Sequence, residues 1–231
     1  MLSIIIPTLN EERFLPLLLR SLRNQSFQDF EVIVADAKSK DRTRAIAHAF
    51  GARVVDGGLP GVGRNKGAKV AKGDLLLFLD ADVVLPNFFL EKNVADFRKR
   101  NLDVATTFVK PLSSRFDDKV IHFGWNVVYL ALQNIRPACC GFHIFIRKDV
   151  FARAGGFDES VVFCEDADLI ARLHKMRADF GVLSSPVFVS VRRLNKEGRM
   201  KFLVKNITGY LHTAFKGPIR KQLFKYEWGH K

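Results

Sequence analysis

Apolar residues gather in short unbroken runs rather than in alternation. Residues 3–6, 31–35, 53–55 and 74–79 read as strands, the last carrying five consecutive apolar residues from Leu75 to Leu79. Runs without polar interruption fit strands covered on both faces, as in a parallel sheet between helices. Helical spacing fills the intervals. Phe14, Leu18 and Leu22 form an apolar face behind Glu11 and Glu12, with Pro16 near the start, where proline is tolerated. Residues 42–50 read as a helix that Gly51 can cap, and 65–71 as another, after a glycine-rich loop over 57–63. Further along, the pattern predicts helices over 86–100, 118–134, 149–154 and 166–178. It predicts strands over 103–109, 141–147, 180–183 and 187–191, the last two separated around Pro186. Strand–helix alternation with short loops gives an α/β fold, a mostly parallel sheet with right-handed crossovers.

Three of these strands end in polar residues: Asn10 and Glu11 after the first, Asp36 after the second, Asp80 and Asp82 after the fourth. In an open parallel sheet such ends share one edge, where ligands bind. Carboxylates two apart along an extended chain share a side and can hold one hard divalent cation together with substrate phosphates. A solvated Asp-x-Asp turn is the simpler reading of Asp80-Ala81-Asp82 taken alone. Glu165 and Asp166 fall on the first turn of a helix, where carboxylates also serve as caps.

Composition narrows the class. Of 231 residues, 48% are hydrophobic and 26% charged, enough for a sizeable core and unlike a disordered chain. No apolar run approaches the ~18 residues of a membrane span. The chain enters its first strand without a basic leader, which predicts no signal peptide and a cytoplasmic protein. Three cysteines, Cys139, Cys140 and Cys164, are poor material for a disulfide framework and read as buried free thiols. The net charge of +13 is concentrated after residue 191, where 11 Lys and Arg face only Glu197 and Glu227. That asymmetry predicts an anionic partner surface. No nucleic-acid reading motif accompanies it, so nucleic acid is not expected. Two units are expected, 1–191 as a catalytic domain and 192–231 as a basic amphipathic segment.

Taken together, the motifs resemble the family 2 glycosyltransferases of the GT-A fold. The matching pieces are Ser-Ile-Ile-Ile-Pro-Thr-Leu-Asn-Glu-Glu at 3–12, Asp36 with Ser39 and Asp41, and Arg64-Asn65-Lys66-Gly67-Ala68. They continue with Gly73-Asp74 leading to Asp80-Ala81-Asp82, Gly155-Gly156-Phe157-Asp158-Glu159 and Glu165-Asp166-Ala167-Asp168-Leu169. The resemblance covers residues 3 to 178. It implies a nucleotide-diphosphate-sugar donor, UDP- or GDP-linked, and a Mg²⁺ or Mn²⁺ cofactor. By position, Pro7, Thr8, Asn10 and Glu11 would line the nucleoside pocket, and Asp36 would accept a hydrogen bond from the base. Arg64 would contact base or diphosphate. Asp80 would face the ribose or a metal-bound water, with Ala81 beside it, and Asp82 would ligate the metal; both aspartates belong to the implied metal site. Asp166 matches the general base of inverting members, and Glu165 would orient the site or cap its helix.

Two departures stand out: Lys38 occupies a loop position where glycine is usual, and no Gln-x-x-Arg-Trp motif follows the acidic pair. The second points to single sugar transfer rather than polymerisation. Arg192 and Arg193 read equally as surface charge and as phosphate ligands, and His212 as a packing residue or a third metal ligand. The basic segment, with Leu203, Ile207, Tyr210, Leu211 and Ala214 at helical spacing, either packs on the core or lies on an anionic membrane. The implied acceptor is lipid-linked or a glycan, and the implied location is the inner face of a membrane. The alternatives are a retaining GT-A transferase and a degenerate sugar-nucleotide fold that binds membrane surfaces.

Overall fold

The apolar runs become the inner strands of one sheet in the computed structural model, which describes residues 1–139 and 141–221. Strands are β1 (Leu2–Thr8), β2 (Phe30–Asp36), β3 (Arg53–Asp56), β4 (Leu75–Leu79), β5 (Val83–Val84), β6 (Val104–Pro111), β7 (His143–Arg147) and β8 (Phe180–Val189). Helices are α1 (Leu15–Arg23), α2 (Thr43–Ala49), α3 (Pro60–Val70), α4 (Phe89–Lys99), α5 (Phe116–Leu132), α6 (Lys148–Arg153), α7 (Glu165–Lys175), α8 (Arg192–Glu197) and α9 (Arg199–Lys216). The spatial order is β3-β2-β1-β4-β7-β6-β8-β5. The first four neighbours pair in parallel, as do β6 and β8, while β7 and the short β5 run antiparallel to their partners.

Both faces are covered, which is why the runs carry no polar alternation. Leu2, Ile4 and Ile6 join one core with α1 and α4, while Ile5, between them, joins the other with α3, α6 and α7. The pairing directions place the carboxyl ends of β1, β2, β4, β6 and β8 on one edge of the sheet. Running the other way, β7 delivers its amino-terminal end, preceded by Gly141 and Phe142, to that same edge.

Several elements differ from the sequence pattern. Helix α3 starts at Pro60 instead of 65, with proline in its first turn. Gly61 and Gly63 had the look of a loop, yet they belong to this helix, and Gly67 lets it lie against the sheet: a Cβ there would stand 2.4 Å from Ile5 Cγ2. Gly67→Ala is therefore expected to lower the unfolding free energy by about 1–3 kcal/mol through overpacking, read from urea denaturation. The two strands expected over 180–183 and 187–191 do not separate at Pro186, and residues 190 and 191 are not strand; the rest is β8. It is one strand whose register against β6 jumps from Thr107 opposite Leu183 to Val109 opposite Val187, and this bulge takes up the proline. The two-residue β5, though apolar, is too short to stand out in the sequence pattern. Cys139 and Cys164 are buried free thiols, as the cysteine count predicted. Cys140 and residues 222–231 of the basic segment lie outside the described residues.

Candidate active site

The acidic strand ends meet in a cleft at the carboxyl edge. Its walls include Pro7, Glu11, Arg64, Asp80, Ala81, Asp82, Glu165 and Asp166, eight of the residues singled out from the sequence. Thr8, Asn10 and Asp36 lie outside that wall, in a hydrogen-bonded cluster of their own. Asp36 is fully buried. It accepts hydrogen bonds from Thr8 Oγ1 at 3.0 Å and from the Ser39 backbone N–H at 2.9 Å. Asn10 ties the same loop down, its Oδ1 accepting from the Lys40 backbone N–H at 2.9 Å. Within this loop Lys38 takes φ 63°, the left-handed region that glycine enters freely.

The cleft is organised by two arginines. Arg64, carried on α3 and buried, donates to Glu165 Oε1 at 2.6 Å, 101 residues away in sequence, and to Asp80 Oδ1 at 2.8 Å. Its guanidinium carbon lies 5.3 Å from the centroid of the Phe157 ring, which in turn packs edge-on to Phe78. Burial works against its charge more than any other influence, but Asp80, Glu165 and Asp166 together outweigh it and raise the pKa. Arg64 Nε has no hydrogen-bond partner among the described residues. A Cβ on Gly141 would sit 2.8 Å from Arg64 Nη2, so glycine is needed where the chain passes the guanidinium.

Arg192 is the second organiser. It follows directly on the end of β8, reaching the cleft because β8 runs parallel to β4 and β1 toward the same edge. Its guanidinium donates to both carboxylate oxygens of Glu11 at 2.8 Å and pairs through Nε with Asp82 Oδ2 at 2.7 Å. Burial pushes the carboxyls of Glu11 and Asp82 up, and Arg192 restrains both shifts. Of the two roles the sequence left open for Arg192, purely surface charge does not fit this position.

Asp166 sits on the first turn of α7. Its Oδ2 accepts from the Gly141 backbone N–H at 2.6 Å, and its Oδ1 from Ala167 at 2.8 Å. Burial and the neighbouring Glu165 charge, against the opposing pull of Arg64, push its pKa up to about 7. The residue before this pair, Cys164, is held at φ 59° and ψ 41°, a strained conformation for a side chain of this kind.

The far wall of the cleft comes from α5, which the sequence left open between lining the acceptor side and core packing, and from α9, which it did not assign to the cleft. Helix α5 supplies His122, Trp125 and Tyr129, and α9 supplies Phe202, Asn206 and Tyr210. His122 places Nδ1 2.7 Å from the Asp118 carbonyl oxygen, so that nitrogen donates; burial lowers the pKa and favours the neutral ring. The i, i+3, i+7 spacing of His122, Trp125 and Tyr129 was visible but equally compatible with plain core packing. His212, weighed as a metal ligand, instead lies 3.1 Å from the Gly217 carbonyl at the end of α9. Among the described residues no cluster of three or more His, Cys, Asp or Glu could hold a metal. Asp80 and Asp82 do satisfy the two-carboxylate requirement of Mg²⁺ or Mn²⁺ completed by substrate phosphates. In the structure each is paired with an arginine.

The architecture is that of the GT-A nucleotide-sugar transferases. A mannosyltransferase from Pyrobaculum calidifontis, solved with GDP-Man and Mn²⁺, superposes with a TM-score of 0.75 at 18% identity, covering 95% of this chain and 65% of that one. TarS 1-349 of S. aureus, solved with UDP-GlcNAc, gives a TM-score of 0.67 at 24% identity, covering 83% of this chain and 58% of that one. The family model for glycosyl transferase family 2 matches residues 3–155, and the chain belongs to that family. Among its relatives is the PGL/p-HBAD biosynthesis glycosyltransferase of Mycobacterium bovis (strain BCG / Pasteur 1173P2), 42% identical over 171 residues, or 68% of this chain and 63% of the relative. Another is the 4,4'-diaponeurosporenoate glycosyltransferase of Staphylococcus haemolyticus, 43% identical over 95 residues, 37% of this chain and 25% of the relative. The chain thus spans between a quarter and two thirds of the lengths of these two relatives.

Proposed function

We propose that this protein transfers one sugar from a nucleotide-diphosphate-sugar, UDP- or GDP-linked, to a hydroxyl of a lipid-linked or glycan acceptor, with inversion. The observation that carries this reading is the meeting, in one cleft, of Asp80 and Asp82 with the carboxylate of Asp166, whose pKa lies near 7. A group poised close to neutral pH suits proton transfer in either direction. Asp166 takes the proton of the acceptor hydroxyl as its oxygen bonds to the anomeric carbon, and the bond from that carbon to the diphosphate breaks in the same step. The Gly141 and Ala167 backbone N–H groups hold Asp166 in place, and Arg64 fixes Glu165 beside it. Asp80 and Asp82 would hold the Mg²⁺ or Mn²⁺, which when bound supplies charge neutralisation for the departing diphosphate. Arg192, which pairs with Asp82 here, would give up that carboxylate to the cation, and a guanidinium fork at this place would suit diphosphate oxygens. Thr8, Asn10 and Asp36 shape the loop beside the nucleoside. The partners of this reading are the donor, the acceptor and, for the basic segment 192–231, an anionic membrane surface.

The test is nucleotide release from a panel of UDP-, GDP- and dTDP-sugars with Mn²⁺ or Mg²⁺, with and without EDTA. Release from one donor, abolished by chelation and by Asp82→Ala, is the expected result. Full activity in Asp82→Ala would remove that residue from the metal site. Neither release nor nucleotide binding by calorimetry would overturn the transferase reading in favour of a surface-binding protein.

A further inference from the structure

Helices α5 and α9 run side by side in the same direction. Arg199, opening α9, pairs with Asp118 at 2.9 Å near the start of α5. Midway, the Trp125 and Tyr210 rings lie 6.1 Å apart. Past the end of α5, Arg136 donates to the Ala214 carbonyl and lies over the Phe215 ring. Their inner sides line the cleft, but their outer sides are unlike an ordinary protein surface. On α5, Phe116, Val120, Phe123, Val127 and Leu130 are all exposed, Phe116 at 81% and Phe123 at 68%. On α9 the same holds for Met200, Val204, Ile207, Leu211 and Phe215, with Met200 at 73% and Phe215 at 79%. Each set recurs at spacings of three and four, one stripe of ~21 Å along its helix at 1.5 Å per residue. On α9 the stripe lies opposite the buried Lys205, Gly209 and Thr213.

We infer that these two stripes together form one docking face for an anionic lipid surface. The inference rests on the membrane part of the reading above, not on its transfer chemistry, and adds α5, which lies outside the basic segment. Scattered exposed apolar residues need no explanation, whereas two adjacent stripes of five do. Charge selects the occupant. Helix α9 contains no Asp or Glu, and the only acids of α5, Asp117 and Asp118, are engaged by Arg115 and Arg199. Lys119, Lys201 and Lys216 are exposed beside the stripes, with no ion pair found for them among the described residues. Apolar side chains edged by free cations match the acyl and headgroup layers of an anionic bilayer. A second copy is a poorer fit, because two chains of net +13 would bring their basic faces together. No helix among the described residues is long and apolar enough to cross a membrane, so the face would lie on the surface.

The test is co-sedimentation of the full chain with vesicles of phosphatidylglycerol and phosphatidylcholine, against vesicles of phosphatidylcholine alone. Binding to the anionic vesicles is expected, weakened about tenfold or more by Phe123→Glu on α5 and equally by Ile207→Glu on α9. Leu17→Glu, an exposed apolar position on α1, should leave it unchanged. Thermal unfolding and UDP binding of each variant, unaffected by these outward changes, separate loss of docking from loss of fold and from failure of the transferase reading. No vesicle binding, binding insensitive to Phe123→Glu, or a mass that doubles with concentration would each overturn the inference.

Discussion

Asp166→Asn is expected to slow sugar transfer by about 10²–10⁴-fold, the usual contribution of a positioned base, while donor affinity by calorimetry changes little. The amide keeps the shape and still accepts from the Gly141 N–H, but it cannot take a proton. Asp166 must be ionised to act as base, and its pKa is raised to about 7. The transfer rate of the wild type should therefore climb with pH and level off above about 7. A profile flat between pH 5 and 8 would remove Asp166 from the proton-transfer step. The same shift bears on stability with the opposite sign. The fold holds this proton more tightly than the unfolded chain does, so this group's contribution is present at low pH and is lost as pH rises through about 7.

Arg64→Met should be the most damaging single change to the fold near the site. It leaves Glu165 and Asp80 without their shared cation, and breaking a buried charge pair from one side typically costs about 3–5 kcal/mol. Urea denaturation at neutral pH would read the loss. Arg64 also opposes the upward shift of Asp166, so its removal sends that carboxyl higher still. The deficit should then shrink toward pH 5, where Asp166 has taken up its proton. Arg64→Lys keeps the charge but not the fork that reaches both carboxylates, and should fall between the two. A Met variant as stable as wild type would show that the bridge contributes nothing to the fold.

What could be read from the sequence was local. The run Leu75–Leu79 ending in Asp80 announced a strand buried on both faces with a polar edge, because burial on both sides suppresses alternation. The helical spacing of Phe14, Leu18 and Leu22 announced α1 for an equally local reason. What escaped depends on contacts distant in sequence. Gly61 and Gly63 read as a loop because their purpose, close approach to Phe157 and Pro7, belongs to the tertiary packing. Pro186 read as a break because the bulge that absorbs it is defined against another strand. Arg192 could not be tied to Glu11 across 181 residues, since no periodicity records which strand runs beside which. Nor could the letters of α5 and α9 say that both line the same cleft.

The junction of Arg192 with Glu11 and Asp82 has one further consequence. It is a lock with two keyholes: the Asp82 carboxylate that would receive a cation also fastens Arg192, the first residue of α8, beside the end of β4, while Glu11 fastens the same guanidinium to the first loop. Whatever occupies Asp82 competes with the anchorage of α8, and whatever pulls α8 away vacates Asp82. Reciprocity of that kind is obligatory for any two events that share one equilibrium. Protease cleavage within 192–221 and cation affinity at the cleft should accordingly rise and fall together.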